Sequence, residues 1–121
     1  MTEIVQYQKI HINDSTIYLY SGEMKDSLPN GEGKAEYSDG RLYTGSFVNG
    51  LRHGKGKMTF DGNIYEGEYV HDKAEGYGEM RYTDGSRYIG EWKKDGKNGY
   101  GTFFDSDGKE YNGLWINGNL Q

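Results

Sequence analysis

Glycine stands two residues after tyrosine five times along this chain: Tyr20/Gly22, Tyr43/Gly45, Tyr65/Gly67, Tyr88/Gly90 and Tyr111/Gly113. The tyrosines are 23, 22, 23 and 23 residues apart. A fixed period of this length marks a fold built from stacked, similar units. Other columns keep the same phase. Four residues after each tyrosine stands a large side chain: Met24, Phe47, Tyr69, Trp92 and Trp115. Further on come paired glycines (Gly31/Gly33, Gly54/Gly56, Gly76/Gly78, Gly99/Gly101) and then an Asp-Gly pair (Asp39-Gly40, Asp61-Gly62, Asp84-Gly85, Asp107-Gly108).

Each frame reads as a strand, a turn, a returning strand and a short turn, that is, one β-hairpin. Asn, Asp and Gly in the turns supply left-handed backbone at little steric cost. Side chains alternate across a strand, so Tyr43, Gly45 and Phe47 share one face, and Gly54, Gly56, Met58 and Phe60 are assigned to the same face. Glycine inside a strand loses packing and costs backbone entropy. Here the expected compensation is a ring from a neighbouring strand lying flat on backbone that the missing side chain leaves bare. The opposite face carries Ser46, Lys55, Lys57, Glu66, Glu68, Glu79, Arg81, Glu91 and Lys93, a mixed-charge surface for water.

Composition agrees with order built on rings. Leu, Ile, Val and Phe number only 20 of 121 residues, yet 15% of the chain is aromatic, with 12 tyrosines. Disordered chains are poor in aromatics. No cysteine is present, which excludes a disulfide framework or thiolate zinc site. The start, "MTEIVQYQKIHIND", lacks the basic and apolar regions of a secretory signal, and no apolar run approaches the length of about 20 residues that spans a bilayer. The expectation is a soluble, intracellular, cytoplasmic protein in which the Asn13-Asp14-Ser15 sequon is fortuitous.

"YTGSFVNGLRHGKGKMTFDG", "YEGEYVHDKAEGYGEMRYTDG" and "YIGEWKKDGKNGYGTFFDSDG" resemble MORN repeats, with their Tyr-x-Gly-x-aromatic and Gly-x-Gly pattern. The resemblance covers residues 20–118 and divides the chain into repeats at 20–42, 43–64, 65–87 and 88–110, with a half-repeat at 111–121. Met24 departs from the aromatic column and Asp105 from the second one. Residues 1–19 lack the glycines and read as a strand and turn that cap the first repeat. The resemblance implies an all-β fold: an elongated, single-layer antiparallel sheet of consecutive hairpins with an aromatic groove on one face. About ten strands at roughly 4.8 Å spacing make a rod on the order of 45 Å long, and a sheet of that length twists.

Catalytic patterns are missing. His11, His53 and His71 are scattered and read as solvated loop histidines. "GLRHGKGKMT" has Leu51 and Met58 where a phosphate loop needs Gly and Ser/Thr, and "FFDSDGKEYNGL" lacks the first and last ligands of a calcium loop. No enzyme activity, cofactor or metal is expected. Net charge of -5 disfavours nucleic acid. Carbohydrate or choline binding by aromatic cages is a weak alternative with only Trp92 and Trp115 present.

Protein binding is the function expected: a non-catalytic adaptor or scaffold. Tyr43, Phe47, Tyr65, Tyr69, Tyr88, Trp92 and Trp115 would line a groove, bases buried and tips open to a partner helix or extended peptide. Toward the C-terminus the other face also turns apolar, at Tyr77, Ile89, Tyr100, Phe104, Leu114 and Ile116, which is expected to form a second interface. The last strand, expected at 109–116, is an edge open to strand pairing, homodimerisation or docking into a larger assembly. The alternatives are a peripheral membrane module touching acidic phospholipid through Arg52, Lys55 and Lys57, and a regulatory subunit of an enzyme or of a cytoskeletal or ciliary assembly, settings that the resemblance implies.

Overall fold

The computed structural model describes residues 2–121, so Met1 of the expected cap lies outside it. Eleven strands follow one another in chain order across a single antiparallel sheet. They are β1 (Thr2–Asn13), β2 (Thr16–Lys25), β3 (Leu28–Tyr37), β4 (Leu42–Val48), β5 (Leu51–Phe60), β6 (Asn63–Val70), β7 (Lys73–Arg81), β8 (Arg87–Lys93), β9 (Gly96–Phe104), β10 (Glu110–Ile116) and β11 (Asn119–Leu120). Every junction is a hairpin. The N-terminal hairpin turns at Asp14-Ser15, held by Asn13 Oδ1, which accepts from the Ser15 amide at 2.9 Å. His53 lies within β5 rather than in a turn, and its Nδ1 accepts from the His71 amide at 3.2 Å.

One line of glycine crosses the sheet. Gly22, Gly33, Gly45, Gly56, Gly67, Gly78, Gly90, Gly101 and Gly113 pair directly from β2 to β10. Onto this bare backbone each repeat lays its leading tyrosine. A Cβ built on Gly56 would enter the Tyr43 ring, and one built on Gly33 would enter the Tyr20 ring. The hydroxyl of each tyrosine then donates to a main-chain carbonyl three residues on: Tyr20 to Glu23, Tyr43 to Ser46, Tyr65 to Glu68, Tyr88 to Glu91, at 2.6–3.1 Å. The polar end of a buried ring is thereby satisfied, as burial requires.

The first glycine of each pair has a different task. Between Gly45↔Gly56 and Phe47↔Arg52, β4 has one residue where β5 has three. The same mismatch separates β2 from β3, β6 from β7 and β8 from β9. Gly54 sits in this bulge at φ 96°, a left-handed conformation that strains other residues. So the expectation that both glycines of a pair lie bare under rings holds only for the second.

Bulges bend strands, and the bend repeats with every hairpin. The sheet curls around its aromatic face, where the rings form an unbroken edge-to-face relay: Tyr20, Phe47, Tyr43, Tyr69, Tyr65, Trp92, Tyr88, Trp115, with centroids 5.1–5.4 Å apart. That geometry is the one favoured by the ring quadrupole. At the N-terminal end Ile10 is buried with the rings, Ile12 packs against them, and the Tyr18 hydroxyl donates to the Gly50 carbonyl at 2.6 Å. Toward the C-terminus the cover thins, and Met80, Phe103 and Tyr111 are only partly buried.

Candidate functional site

The seven rings expected to form an open groove are closed off. Tyr43, Phe47, Tyr65, Tyr69, Tyr88, Trp92 and Trp115 are all buried. Even the indole nitrogens are spent: Trp92 Nε1 donates to the Gly78 carbonyl at 3.1 Å and Trp115 Nε1 to Gly101 at 3.0 Å. The expectation of exposed ring tips fails because the curl that the bulges impose turns neighbouring rings edge-on into one another.

Arg52 is likewise not free for lipid. It is buried, with Nε 2.6 Å from Asp72 Oδ1 and a second donation to the Asp72 carbonyl at 2.8 Å. Its guanidinium sits 5.4 Å from the Tyr37 ring and 5.3 Å from that of Tyr69. Burial opposes its charge, but the Asp72 hydrogen bond and carboxylate more than offset this and hold it protonated. Lys55 and Lys57 are exposed on the outer face, but directly opposite Glu68 and Glu66.

Outer-face apolar surface gathers where the last hairpins lie. Tyr77 is 60% exposed, Tyr100 67%, Leu114 38% and Ile116 47%. Tyr100 pairs directly with Leu114 across β9 and β10. Ile89 and Phe104 are half-buried, Phe104 beneath the Arg87 guanidinium at 4.3 Å. On one side of Glu110–Leu114 runs β9, while β11 reaches only Trp115 and Ile116 on the other.

A column that the sequence reading did not single out runs along the inner face, nine residues after each leading tyrosine: Pro29, Arg52, Ala74 and Lys97. The carbonyl of each accepts the amide of a turn residue one repeat on, Gly50, Asp72, Asp95 and Gly118, at 2.8–3.0 Å. Hairpin is thereby tied to next hairpin. Arg52 faces Asp72 and finds its counter-ion; Lys97 faces Gly118 and finds none. Among the described residues Lys97 makes no ion pair. Its ammonium lies instead 5.4–5.7 Å from the ring centres of Tyr82, Tyr88, Phe103 and Trp115. Burial pushes its pKa below the ordinary lysine value. Beside it opens a shallow cavity of about 340 Å³, lined by Lys97, Phe103, Asp105, Tyr111, Trp115 and Leu120. Reading the Arg52, Lys97 column against the Asp72, Gly118 column would have exposed this cation in the sequence. Asp105, half of the discarded calcium pattern, caps its own turn, accepting from the amides of Asp107 and Lys109 at 3.0 and 2.9 Å. Among the described residues no group of three or more His, Asp or Glu is placed to hold a metal ion.

Successive hairpins that each lay a tyrosine on bare glycine backbone define a class, a one-dimensional β-repeat module. The sequence model of the MORN repeat matches residues 20–40, 43–63, 65–87 and 88–110, and the chain belongs to that family. MORN repeats are generally protein-binding or membrane-lipid-binding modules and generally non-catalytic. Over 40 residues, 32% of this chain, the sequence is 45% identical to a protein of Plasmodium berghei (strain Anka) named "Inactive protein tyrosine kinase pTKL". The matched segment covers 3% of that much longer relative.

Proposed function

We propose that the chain is a non-catalytic adaptor that holds a partner protein against the outer face of its last three hairpins. The observation that carries this is the cluster of Tyr100, Leu114 and Ile116, each more than a third exposed on a face that carries Glu32, Lys55 and Glu66 earlier in the sheet, with the exposed Tyr77 set apart beyond Glu91. Contiguous apolar surface of this kind marks interfaces, and tyrosine is enriched among the residues that carry binding energy. The membrane reading draws less support, because Arg52 is buried and both exposed lysines stand opposite glutamates.

The test combines Tyr100→Glu and Leu114→Glu in one chain that retains the wild-type β circular dichroism. Affinity capture from cells that make the protein should lose its specific partner with this variant and keep it with Lys57→Glu. A partner retained by the double variant removes the outer face from the interface. Light scattering at tens of micromolar separates a different partner from a second copy of this chain: a dimer that the double variant dissolves assigns the patch to self-association.

A further inference from the structure

We propose that the inner face at Lys97 is a second binding site, one that receives an acidic side chain of a partner peptide with its flanking apolar residue. It lies on the opposite face from the patch above and does not depend on it.

At Arg52 and at Lys97 the same backbone position points a cation into the ring relay, and the same turn returns one repeat later to bond its carbonyl. In the earlier repeat that turn carries Asp72, and the charge is neutralised at 2.6 Å. In the later one it carries Gly118, whose built Cβ would meet nothing nearer than Lys97 Cε at 4.0 Å. The space of a carboxylate is present and the carboxylate is not. Four rings partly compensate the desolvated ammonium, but an anion satisfies a half-buried cation far better.

The other charged groups at the cavity leave this opening. Asp105 is committed to its turn, and its second oxygen lies 3.5 Å from the Tyr111 hydroxyl. Asp84, in the adjoining hollow that Lys97 and Phe103 share, accepts from the Ser86 amide at 2.8 Å and from the Ser86 hydroxyl at 2.5 Å. The remaining walls, Phe103, Tyr111, Trp115 and Leu120, are almost wholly apolar. Lys97 is the cation that lines this cavity, with the Lys109 ammonium 5.4 Å from the far side of the lining at the Tyr111 ring. A single lining cation in apolar walls fits the stem and carboxylate of Glu or Asp beside a hydrophobic neighbour better than a phosphate, which calls for several donors.

The experiment selects displayed random 12-residue peptides on the wild-type chain, then measures the winners against Lys97→Met and Gly118→Asp. The second variant supplies the missing carboxylate internally. It should fold, because Asp72 and Asp95 already occupy that turn position in left-handed backbone, at φ 73° and 67°. The expected result is enrichment of Asp or Glu next to an aromatic or aliphatic residue, with binding weakened tenfold or more by both variants and the Trp115 indole N–H resonance shifted by peptide. Winners without an acidic residue, or winners that bind both folded variants as they bind wild type, would overturn the proposal. So would vesicles of phosphatidylserine that bind through Lys97 while no acidic peptide is selected, since the site would then serve a membrane. Peptides lost by Tyr100→Glu and kept by Lys97→Met would sink this site and leave the outer-face reading standing.

Discussion

At the scale of single residues, glycine is used in this chain for two unlike reasons, and substitution separates them. Gly40 needs its left-handed φ of 97° and has nothing within 4 Å of a built Cβ. Gly56 has no positive φ but lies under the Tyr43 ring. Gly40→Ala should cost about 1 kcal/mol of backbone strain. Gly56→Ala must lift the ring off the sheet and break its 2.9 Å bond to Ser46, a loss of about 3 kcal/mol. Urea unfolding of the two variants checks this, and equal losses would mean that the ring does not depend on bare backbone. The tyrosines themselves set an alkaline limit. Burial, with Glu23 and Glu32 nearby, pushes Tyr20 from an ordinary 10.0 up to about 12, and burial beside Glu91 does the same for Tyr88. Burial raises Tyr43, Tyr65 and Tyr69 as well. A folded value above the unfolded one gives stability that is complete below pH 10 and is lost as pH rises through 12. The urea midpoint should therefore hold up to about pH 10 and then fall. Tyrosinate absorbance from the core rings developing while native β circular dichroism persists would contradict this.

Hairpins were legible because their signals are local and periodic. Every strand of the repeats is bounded by Asn, Asp or Gly, and the column of Tyr43, Gly45 and Phe47 places the rings on one face without reference to anything distant. Bulges were not legible in the same way. Gly54 and Gly56 look alike in the sequence, and only the unequal count of residues between Gly45 and Phe47 on one strand and Gly56 and Arg52 on the other shows that the first bends the chain. That bend decides the candidate site. An uncurled sheet would have left Tyr69 and Trp92 half open, as the sequence reading expected; the curled one closes them and leaves, as exposed apolar surface, the outer face at Tyr100 and Leu114. Pairings between hairpins were hidden for a related reason. Arg52 reads as one member of a basic stretch until the next turn returns Asp72 to it, 20 residues on.

For the whole molecule, the consequence of eleven strands in chain order is that each hairpin is stabilised mainly by its neighbours. The two ends differ. The N-terminal strands are closed by a tie that skips hairpins, Tyr18 reaching the Gly50 carbonyl while Ile10 and Ile12 cover the rings. At the other end Trp115 is the last ring of the relay, and its edge contacts to Tyr88 at 5.4 Å and Phe103 at 6.3 Å hold β10 to β8 and β9. Removing it should open that end alone. Truncating a buried tryptophan costs about 3–5 kcal/mol, and in a one-dimensional array this falls on the hairpins that share the contact rather than on the sheet as a unit. Trp115→Ala should raise amide exchange across β9 and β10 by about two to nearly four orders of magnitude, as a local loss of that size implies, while amides of β2 to β5 keep wild-type protection. The thermal transition should broaden accordingly, because two-state unfolding fails when the repeats uncouple. Equal acceleration of exchange in β3 and β9 would show that the relay of rings couples all the hairpins into one cooperative unit, and binding at the Lys97 end would then be felt at Tyr18.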